Sequence, residues 1–537
     1  MTRAAWLALG LAFMACSPSK APQTGSQTNW LVVCDSAEDC GELECLCGVC
    51  TSACESDSSC AGLEGASCVP VSEDGPIAFC GGALEQGLCL PRCEASCADG
   101  TSCIDGVCAP IGAPAVLVAI DTDTRYQTLV GFGASLSFAD DAIVANPSKT
   151  ALYDLAFEEA GLDVIRLRNR YESAEGAPLE PAREIVSAAE ERLGRAPVLF
   201  MTSGTPPAAL KANDARVCAG SPETCTLRAL PGGGFDYEAF ARFWRESLDA
   251  YAGAGIAPDY VSIQNNPNWS PPEGSPNEAC RFLPEESSEY PGYREALIAV
   301  RDALAGLTVV PQLAAPEVSG LGAVGVYATA LDAAAIGAVA LHLYDMDADA
   351  VDIAALEAAR DVAAQLDRPL LQSEMRAGGL DTAVLAHHVL VHAGAAAYVQ
   401  NDLVSLISEV ADVSLFLMTD EVLEAQLPYY ALLHFAKHTD PGWVRVEASS
   451  GSTDLLGSAW LAPDQRALTI VLINPGADDL RADLGIASEV RAELAHSAIT
   501  RTVFDGLERA ALLGELSADA VVRVPPRSIV TVALTRE

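Results

Sequence analysis

The sequence is poor in positive charge and in long apolar runs, and each shortage excludes a class of protein. Lys and Arg number 32 against 73 Asp and Glu, which gives a net charge of −41. Nucleic acid is therefore not an expected partner, because non-specific affinity for a phosphate backbone depends on cationic side chains. No stretch of 18 apolar residues occurs, so no transmembrane helix is expected. Hydrophobic residues make up 50% of the 537, which predicts a large buried core spread over two to four domains.

The first residues have the features of an export signal. Arg3 provides a positive start, and residues 4–15 (AAWLALGLAFMA) form an apolar run that suits a signal peptide and is too short to span a bilayer. The run ends just before Cys16, in a pattern that resembles the bacterial lipobox, although Phe13 stands where Leu is usual. We therefore predict a lipoprotein signal peptide over residues 1–16, with lipidation of Cys16. The protein would be exported and lipid-anchored to the membrane of the bacterial cell envelope or surface. An ordinary secretory peptide with a chance cysteine is the alternative.

Most of the cysteines lie in one segment that contains no histidine. Of the 18 cysteines, 14 lie between Cys34 and Cys108. An even set in a short exported segment predicts a disulfide-rich module over residues 34–110, joined to the membrane anchor by a flexible polar linker over residues 17–33. Zinc binding through the C-x2-C pair that ends at Cys50 is the rival interpretation.

Three further cysteines lie in the main body of the chain. Cys218 and Cys225 are close enough in sequence to close a small disulfide loop. Cys280 is left over, which predicts a buried free thiol.

The pattern changes at about residue 115, where short apolar runs bounded by Gly and Pro begin to alternate with helical segments. Eight such runs over some 300 residues predict a (β/α)8 barrel over residues 115–435, with a doubly wound open sheet as the alternative. The predicted strands are Leu129–Gly133, Val164–Leu167, Val198–Met201, Tyr260–Gln264, Thr308–Pro311, Val339–Leu343, Pro369–Gln372 and Ala396–Val399. Residues 436–537 alternate with period two and contain few helical segments, which predicts a β-sandwich side domain.

Polar side chains follow the predicted barrel strands, at the ends that face the active site in such barrels. They lie at Arg166, residues 202–204, residues 264–267, Glu317, His342, Tyr344 and Glu374. A rim with several carboxylates is suited to sugar chemistry, because glycosidases need one carboxyl group to protonate the leaving oxygen and another to attack or to activate water.

Several motifs in order resemble glycoside hydrolase family 30 of clan A, which includes glucosylceramidase-like, endo-β-1,6-galactanase and glucuronoxylanase enzymes. Residues 126–135 (YQTLVGFGAS) resemble the family's Q-x-I-x-G-F-G-A-S strand. Residues 202–211 (TSGTPPAALK) resemble S-P-W-S-P-P-A-W-M-K, and residues 261–269 (VSIQNNPNW) resemble I-S-I-Q-N-E-P-D-W. The resemblance covers residues 115–537 and implies that a strand at residues 115–125 joins the β-sandwich.

The resemblance also implies roles for particular residues. Glu374 corresponds to the nucleophile of a retaining glycosidase, and Asn266 occupies the position of the acid/base Glu. The resemblance calls for no metal or organic cofactor, and an oligo- or polysaccharide with β-linkages is the expected partner. The residues expected to hold sugar are Arg166, Asn265, Trp269, Glu317, His342 and Tyr344.

The substitution at Asn266 leaves two functions open, because an amide cannot donate a proton to a departing alkoxide. Two tryptophans of the family pattern are also replaced, by Gly204 and Ala209. The protein is then either a hydrolase whose acid has moved or a pseudoenzyme that binds carbohydrate at the cell surface. A carboxylate other than Glu374 that reaches the Glu374 pocket would favour the hydrolase. The candidates are Glu273, Glu278, Glu285, Glu286 and Glu317.

Overall fold

The structure is a computed structural model and describes residues 40, 43–46, 49–60, 63, 66–69, 87–91, 101–104, 107–110, 115–172, 178–218, 222–517 and 520–536. The predicted signal peptide, with Arg3 and Cys16, and the predicted linker at residues 17–33 lie outside the described residues. The chain divides into two units, Met1–Gly112 and Ala113–Glu537. Within the described residues, no helix is long and apolar enough to cross a membrane.

The first unit is built from short antiparallel strands and disulfides. Its disulfides are Cys40–Cys50, Cys54–Cys68 and Cys60–Cys89. Because Cys50 is bonded to Cys40, the zinc interpretation of the C-x2-C pair is wrong. The strands are β1 (Glu44–Leu46), β2 (Val49–Thr51), β3 (Ala53–Cys54), β4 (Ala66–Val69), β5 (Gly87–Pro91), β6 (Thr101–Ile104) and β7 (Val107–Pro110).

The second unit contains a closed barrel of eight parallel strands, so the predicted (β/α)8 fold is confirmed and the open sheet is excluded. The barrel closes because β16 pairs with β9. Its strands are β9 (Gly131–Ser135), β10 (Val164–Arg168), β11 (Val198–Thr202), β12 (Tyr260–Ser262), β13 (Gln312–Val318), β14 (Ala338–His342), β15 (Leu370–Met375) and β16 (Ala395–Gln400).

The second unit also contains α-helices, most of which alternate with the barrel strands. They are α1 (Asp140–Ala145), α2 (Lys149–Tyr153), α3 (Glu180–Leu193), α4 (Tyr237–Gly253), α5 (Tyr293–Leu304), α6 (Leu321–Ala328), α7 (Ile353–Gln365), α8 (Gly379–Val391), α9 (Leu427–Ala436) and α10 (Ser488–Glu493). Some helices begin at a residue whose side chain caps the first turn. The Asp236 side chain accepts a hydrogen bond from the Ala239 N–H and so caps α4, and the face of α4 that carries Trp244 is buried.

Small residues bring the barrel strands close together. A Cβ on Gly133 would lie 1.9 Å from the Val164 carbonyl oxygen, so glycine is required where β9 meets β10. Alanines recur in β13, β14 and β16, and several of them pack inside the barrel with Phe200 and Leu371.

One predicted strand is misplaced. Residues 308–311 precede the fifth barrel strand, which is β13 (Gln312–Val318). Val309 and Val310 are 62% and 53% exposed. The two adjacent valines mimic a buried strand in sequence, whereas the strand itself contains small residues and a proline that weaken its strand signal.

The C-terminal strands form one continuous nine-stranded sheet, in the order β25-β24-β27-β22-β21-β20-β8-β23-β26. Its inward faces share one hydrophobic cluster. The strand β8 (Val116–Thr128) precedes the barrel in sequence and lies between β20 and β23 in this sheet. The remaining strands are β17 (Val404–Ser405), β18 (Phe416–Met418), β19 (Leu423–Ala425), β20 (Val444–Ser450), β21 (Leu456–Leu461), β22 (Ala467–Asn474), β23 (Leu480–Ile486), β24 (His496–Val503), β25 (Ala511–Gly514), β26 (Val521–Val524) and β27 (Ser528–Thr535).

The sheet and the barrel are joined by buried polar contacts as well as by apolar packing. His434 of α9 is fully buried and lies 2.9 Å from the hydroxyls of both Thr502 and Thr531. Both ring nitrogens are thereby hydrogen-bonded, which accounts for a buried histidine that has no catalytic surroundings.

Candidate active site

All eight barrel strands contribute to one cavity of about 720 Å³ at their carboxyl ends. The contributing residues, in strand order, are Ser135, Arg168, Thr202, Asn265, Ser319, Tyr344, Glu374 and Asn401. This is the face where barrel enzymes hold their substrates, because the strand ends and the loops that follow them converge there.

Glu374 is held at the floor of the cavity by two hydrogen-bonding partners. The Arg166 Nη1 lies 2.8 Å from one carboxylate oxygen, and the Tyr344 hydroxyl donates to the other at 2.8 Å. Burial raises the pKa of Glu374, but Arg166, His342 and the Tyr344 hydroxyl together outweigh it, and the net shift of the pKa is downward. The carboxylate is therefore charged, fixed in orientation and present at the cavity surface, as a nucleophile must be.

A second, fully buried carboxylate lies behind Arg166. Glu317 is 3.0 Å from the Arg166 Nη2 and accepts a hydrogen bond from the Thr202 hydroxyl at 2.6 Å. Burial raises the pKa of Glu317, but Arg166, His342 and Ser262 together lower it further, to about 2. The His342 ring, also fully buried, lies between the two acids, 3.6 Å from Glu317 and 3.9 Å from Glu374. Neither Glu317 nor His342 lines the cavity, so the structure places these two predicted sugar ligands where they position Arg166 and Glu374.

Asn266 lies in the loop after β12 and lines the same cavity. Its φ is +49°, a conformation that Asn adopts more readily than most residues. Its backbone N–H donates to the Glu317 carbonyl at 3.1 Å, and its carbonyl accepts from the Trp269 N–H at 3.0 Å. Among the described residues, the Asn266 Oδ1 finds no hydrogen-bond partner. The backbone of the acid/base position is thus well fixed, while its side chain is a neutral amide.

The structure brings the other predicted sugar-binding residues to the cavity as well. The Asn265 Oδ1 accepts a hydrogen bond from Arg166 at 2.9 Å, which fixes the amide orientation. Trp269 lines the cavity and also packs against the Cys218–Cys225 disulfide. The Tyr344 ring is 42% exposed, so it is available as a stacking face.

A second carboxylate, Glu278, also lines the cavity. Glu278 lies beside Gly204, where a Cβ would come within 3.1 Å of the Glu278 Oε2. Its two oxygens are 3.0 and 3.3 Å from the Arg216 guanidinium, and Arg168 lies 3.8 Å away. Glu278 therefore contacts Gly204, the residue that replaces a tryptophan of the family pattern. The absence of a side chain at Gly204 leaves room for the Glu278 carboxylate.

The Glu278 loop is held by contacts to a distant segment. Val217 and Glu278 form a β-bridge, and the Cys218 N–H donates to the Asn277 carbonyl at 3.2 Å. Cys218 is bonded to Cys225, as its spacing predicts. The buried Lys211 ammonium donates to the Ala279 carbonyl at 2.7 Å. The position of Glu278 is therefore set by the fold and not by its loop alone.

The other candidate acids lie elsewhere. Glu273 is exposed, Glu285 pairs with Arg294, and Glu286 accepts from the Tyr237 hydroxyl at 2.7 Å. None of the three lines the cavity. Cys280 is buried and free, as expected, and burial raises the pKa of its thiol to about 12, so it is inert.

Sequence reasoning missed several residues of the cavity. Arg376, Ser319 and Phe138 line it, and the Phe138 ring is 66% exposed beneath the Arg168 guanidinium at 4.1 Å. Arg376 and Ser319 directly follow β15 and β13, so the rule that strand ends face the site would have found them. Phe138 lies three residues past the end of β9, so that rule does not predict its place in the cavity.

The fold of the second unit matches solved structures. A family 30 xylanase catalytic domain from Talaromyces cellulolyticus superposes with a TM-score of 0.62 at 16% identity, covering 78% of this chain and 100% of that one. A conserved exported protein from Bacteroides fragilis gives 0.63 at 15%, with 78% and 100% covered. An endo-β1,6-glucanase gives 0.58 at 14%, with 81% and 97% covered.

The fold is that of family 30 glycoside hydrolases. At these identities the likeness establishes the fold alone. No protein-family model matches the sequence, and no curated protein matches it. Function must therefore be argued from the site.

Proposed function

We propose that this chain is a retaining-type glycoside hydrolase in which the nucleophile Glu374 is kept and the acid/base function is altered. The observation that carries the proposal is the setting of Glu374, a charged carboxylate that two donors orient at the surface of a barrel-end cavity. A β-linked glycan is the substrate class, in keeping with the xylanase and glucanase that share the fold. The Tyr344 and Phe138 rings are exposed in the cavity and are suited to stacking on sugar faces.

The first step needs no residue beyond Glu374 when the leaving group is stable as an anion. A Glu374 oxygen forms a bond to the anomeric carbon, the bond from that carbon to the leaving oxygen breaks, and the electron pair departs with it. Asn266 cannot protonate that oxygen. For glycosides with poor leaving groups, the rate of cleavage is therefore lower, by a factor on the order of 10²–10⁴, than in a site with a positioned acid.

The second step is the one that Glu278 supports. Its carboxylate lines the cavity, and the Arg216 guanidinium holds it in place at 3.0 Å. In this step Glu278 takes a proton from water, the water oxygen bonds to the anomeric carbon, and the bond to Glu374 breaks, which restores the free carboxylate. Glu278 thus replaces half of the missing function.

The second candidate function is glycan binding without turnover, as a pseudoenzyme at the cell surface. The neutral Asn266 and the absence of a side chain at Gly204 favour it. Under this alternative Glu374 would serve as a hydrogen-bond acceptor for sugar hydroxyls.

We infer that either function is performed outside the cytoplasm. The disulfides Cys40–Cys50, Cys54–Cys68 and Cys60–Cys89 require an oxidising compartment. A neighbour in fold is an exported protein, and the signal and lipid anchor at Cys16 remain proposals from the sequence. Under this proposal the disulfide-rich unit serves as a stalk or binds a partner.

The proposal is tested with a panel of dinitrophenyl β-glycosides, whose leaving group needs no proton. We expect the wild type to release dye from at least one sugar and Glu374→Gln to release none. Glu278→Gln should slow the steady state by on the order of 10² while leaving the first burst intact, because only the second step loses its base. Added azide, which needs no base, should restore the rate and yield a glycosyl azide.

The matched control for Glu278 is Glu273→Gln, a change in the same loop at an exposed residue outside the cavity. It should leave both steps unchanged. If the wild type binds a sugar of the panel but releases no dye from it, the hydrolase proposal fails and the binding function replaces it. If Glu278→Gln behaves as Glu273→Gln, Glu278 has no part in turnover.

A further inference from the structure

Three of the seven histidines lie within six residues at the end of α8. They are His387, His388 and His392. The His392 N–H donates to the His388 carbonyl at 2.9 Å, so the helical turn continues through His392. His388 and His392 are therefore one turn apart on the same helix face, the spacing at which two imidazoles can hold one metal ion.

The three rings form a compact cluster. The His387 and His388 ring centroids are 5.1 Å apart, and those of His388 and His392 are 5.4 Å apart. One ligand nitrogen from each ring lies within 4.8 Å of the others. Among the described residues, the Nδ1 atoms of His387 and His388 are buried and have no hydrogen-bond partner. Buried nitrogens without a partner are costly unless a ligand satisfies them.

The surroundings keep the imidazoles neutral, the form that binds metal. Burial, reinforced by the neighbouring His392, lowers the pKa of His388 to about 4. The charged groups near the cluster are Arg445, Arg360 and Glu357. Both arginines are already engaged with acceptors.

The Arg445 guanidinium lies over the Tyr126 ring, 3.7 Å from its centroid, and its Nε donates a hydrogen bond to the Gln127 Oε1 at 3.0 Å. Arg360 contacts Asp361 and Glu357 at 3.3 and 3.8 Å. Glu357, on α7, is the carboxylate that acts on His392. Its negative charge helps to offset the charge of an ion in the cluster, although its carboxylate is not among the ligand atoms that converge within 4.8 Å.

We propose that His387, His388 and His392 bind a divalent transition-metal ion of the zinc class, with water as the fourth ligand. Zinc accepts three imidazoles and one oxygen in tetrahedral geometry. The cluster precedes β16, whose carboxyl end bears the cavity residue Asn401. The metal therefore lies at the amino end of the barrel strands, away from Glu374, and its role is to hold the end of α8 in place.

The test is titration of the full chain, without a histidine tag, with ZnCl2 or NiCl2 in a calorimeter, together with thermal unfolding. We expect one equivalent to bind, a rise in Tm, and a loss of at least about tenfold in affinity in His388→Ala and in His392→Ala. The exposed histidine His496, on β24, provides the control His496→Ala, which should bind as the wild type does.

Equal affinity in the wild type and in the two α8 variants would overturn the proposal, as would the absence of binding at millimolar metal. If a single variant fails to fold, Glu357→Gln provides the second test, because it leaves the helix intact and should still weaken binding. Turnover of glycosides plays no part in this readout, so its outcome is independent of the proposed hydrolase function.

Discussion

The two sides of the cavity differ in whether charged groups hold their side chains. On the Glu374 side, Arg166 bridges two carboxylates, and Thr202, Tyr344 and Asn265 complete the network. At the other position, Asn266 carries a neutral amide whose Oδ1 lacks a partner among the described residues. Besides Glu374, the carboxylate that lines the cavity is Glu278, which lies farther along the loop after Asn266.

This difference indicates which half of the chemistry the fold preserves. A buried charge network is costly to dismantle piece by piece, because removal of one partner leaves the others uncompensated. The loop that carries Glu278 is fixed by backbone bridges and a disulfide, so its side chains can change without that cost. The nucleophile side is therefore the more constrained of the two.

The largest expected effect comes from restoring the acid. Asn266→Glu should raise turnover of glycosides with unactivated leaving groups by about 10²–10⁴, because a carboxylic acid again protonates the departing oxygen. The matched control is Asn266→Gln, which has the length of Glu without its acidity and should give no gain. A folded, sugar-binding Asn266→Glu variant with no gain in rate would show that the missing acid is not what limits this site.

The network on the nucleophile side is tested by Arg166→Met. Loss of the guanidinium leaves Glu317 and Glu374 buried without a counter-charge, which should lower the free energy of unfolding by about 3–5 kcal/mol. Denaturant unfolding measures this. Arg294→Met, which breaks an exposed pair with Glu285, should cost less than about 1 kcal/mol. Equal costs for the two changes would show that the Arg166 network stabilises the fold no more than an exposed ion pair does.

A smaller effect is expected from pH. The pKa of Glu317 is about 2 in the folded chain, well below its ordinary value, so its charged form stabilises the fold. That contribution, about 3 kcal/mol, is complete above the ordinary carboxyl pKa and is lost as pH falls from about 4.5 to 2. The stability gap between the wild type and Glu317→Gln should therefore shrink over that window. A gap that stays constant from pH 7 to pH 2.5 would contradict the assignment.

Much of the fold was predictable because its signals are local. Gly and Pro at the strand boundaries, and polar residues just past each apolar run, place Glu374, Arg166 and Tyr344 at one end of a barrel. The strand β13 was misplaced because two exposed valines carry a stronger strand signal than the alanines that follow. The alanines of β13 are small because neighbouring strands pack closely against them. A single sequence does not show which residues will be neighbours in the fold, so this requirement could not be used to locate the strand.

The details of the site were less predictable because they depend on contacts between distant residues. Nothing in the sequence near Glu278 distinguishes it from Glu273, although only Glu278 lines the cavity. Its placement depends on the bridge to Val217 and on the missing side chain at Gly204. The burial of Glu317 and His342 behind Arg166 likewise follows from the closed barrel, so their change from expected sugar ligands to positioning residues could not be foreseen.

The most direct test of the central claim is covalent trapping of the nucleophile. Dinitrophenyl 2-deoxy-2-fluoro-β-glycosides leave without a proton and give a slowly hydrolysed glycosyl-enzyme, which mass spectrometry of the digested protein can locate. We predict that the wild type carries one sugar on the peptide containing Glu374 and that Glu374→Gln carries none. A sugar that binds in the cavity by calorimetry but never labels Glu374 would contradict the claim and identify the protein as a binder of glycans.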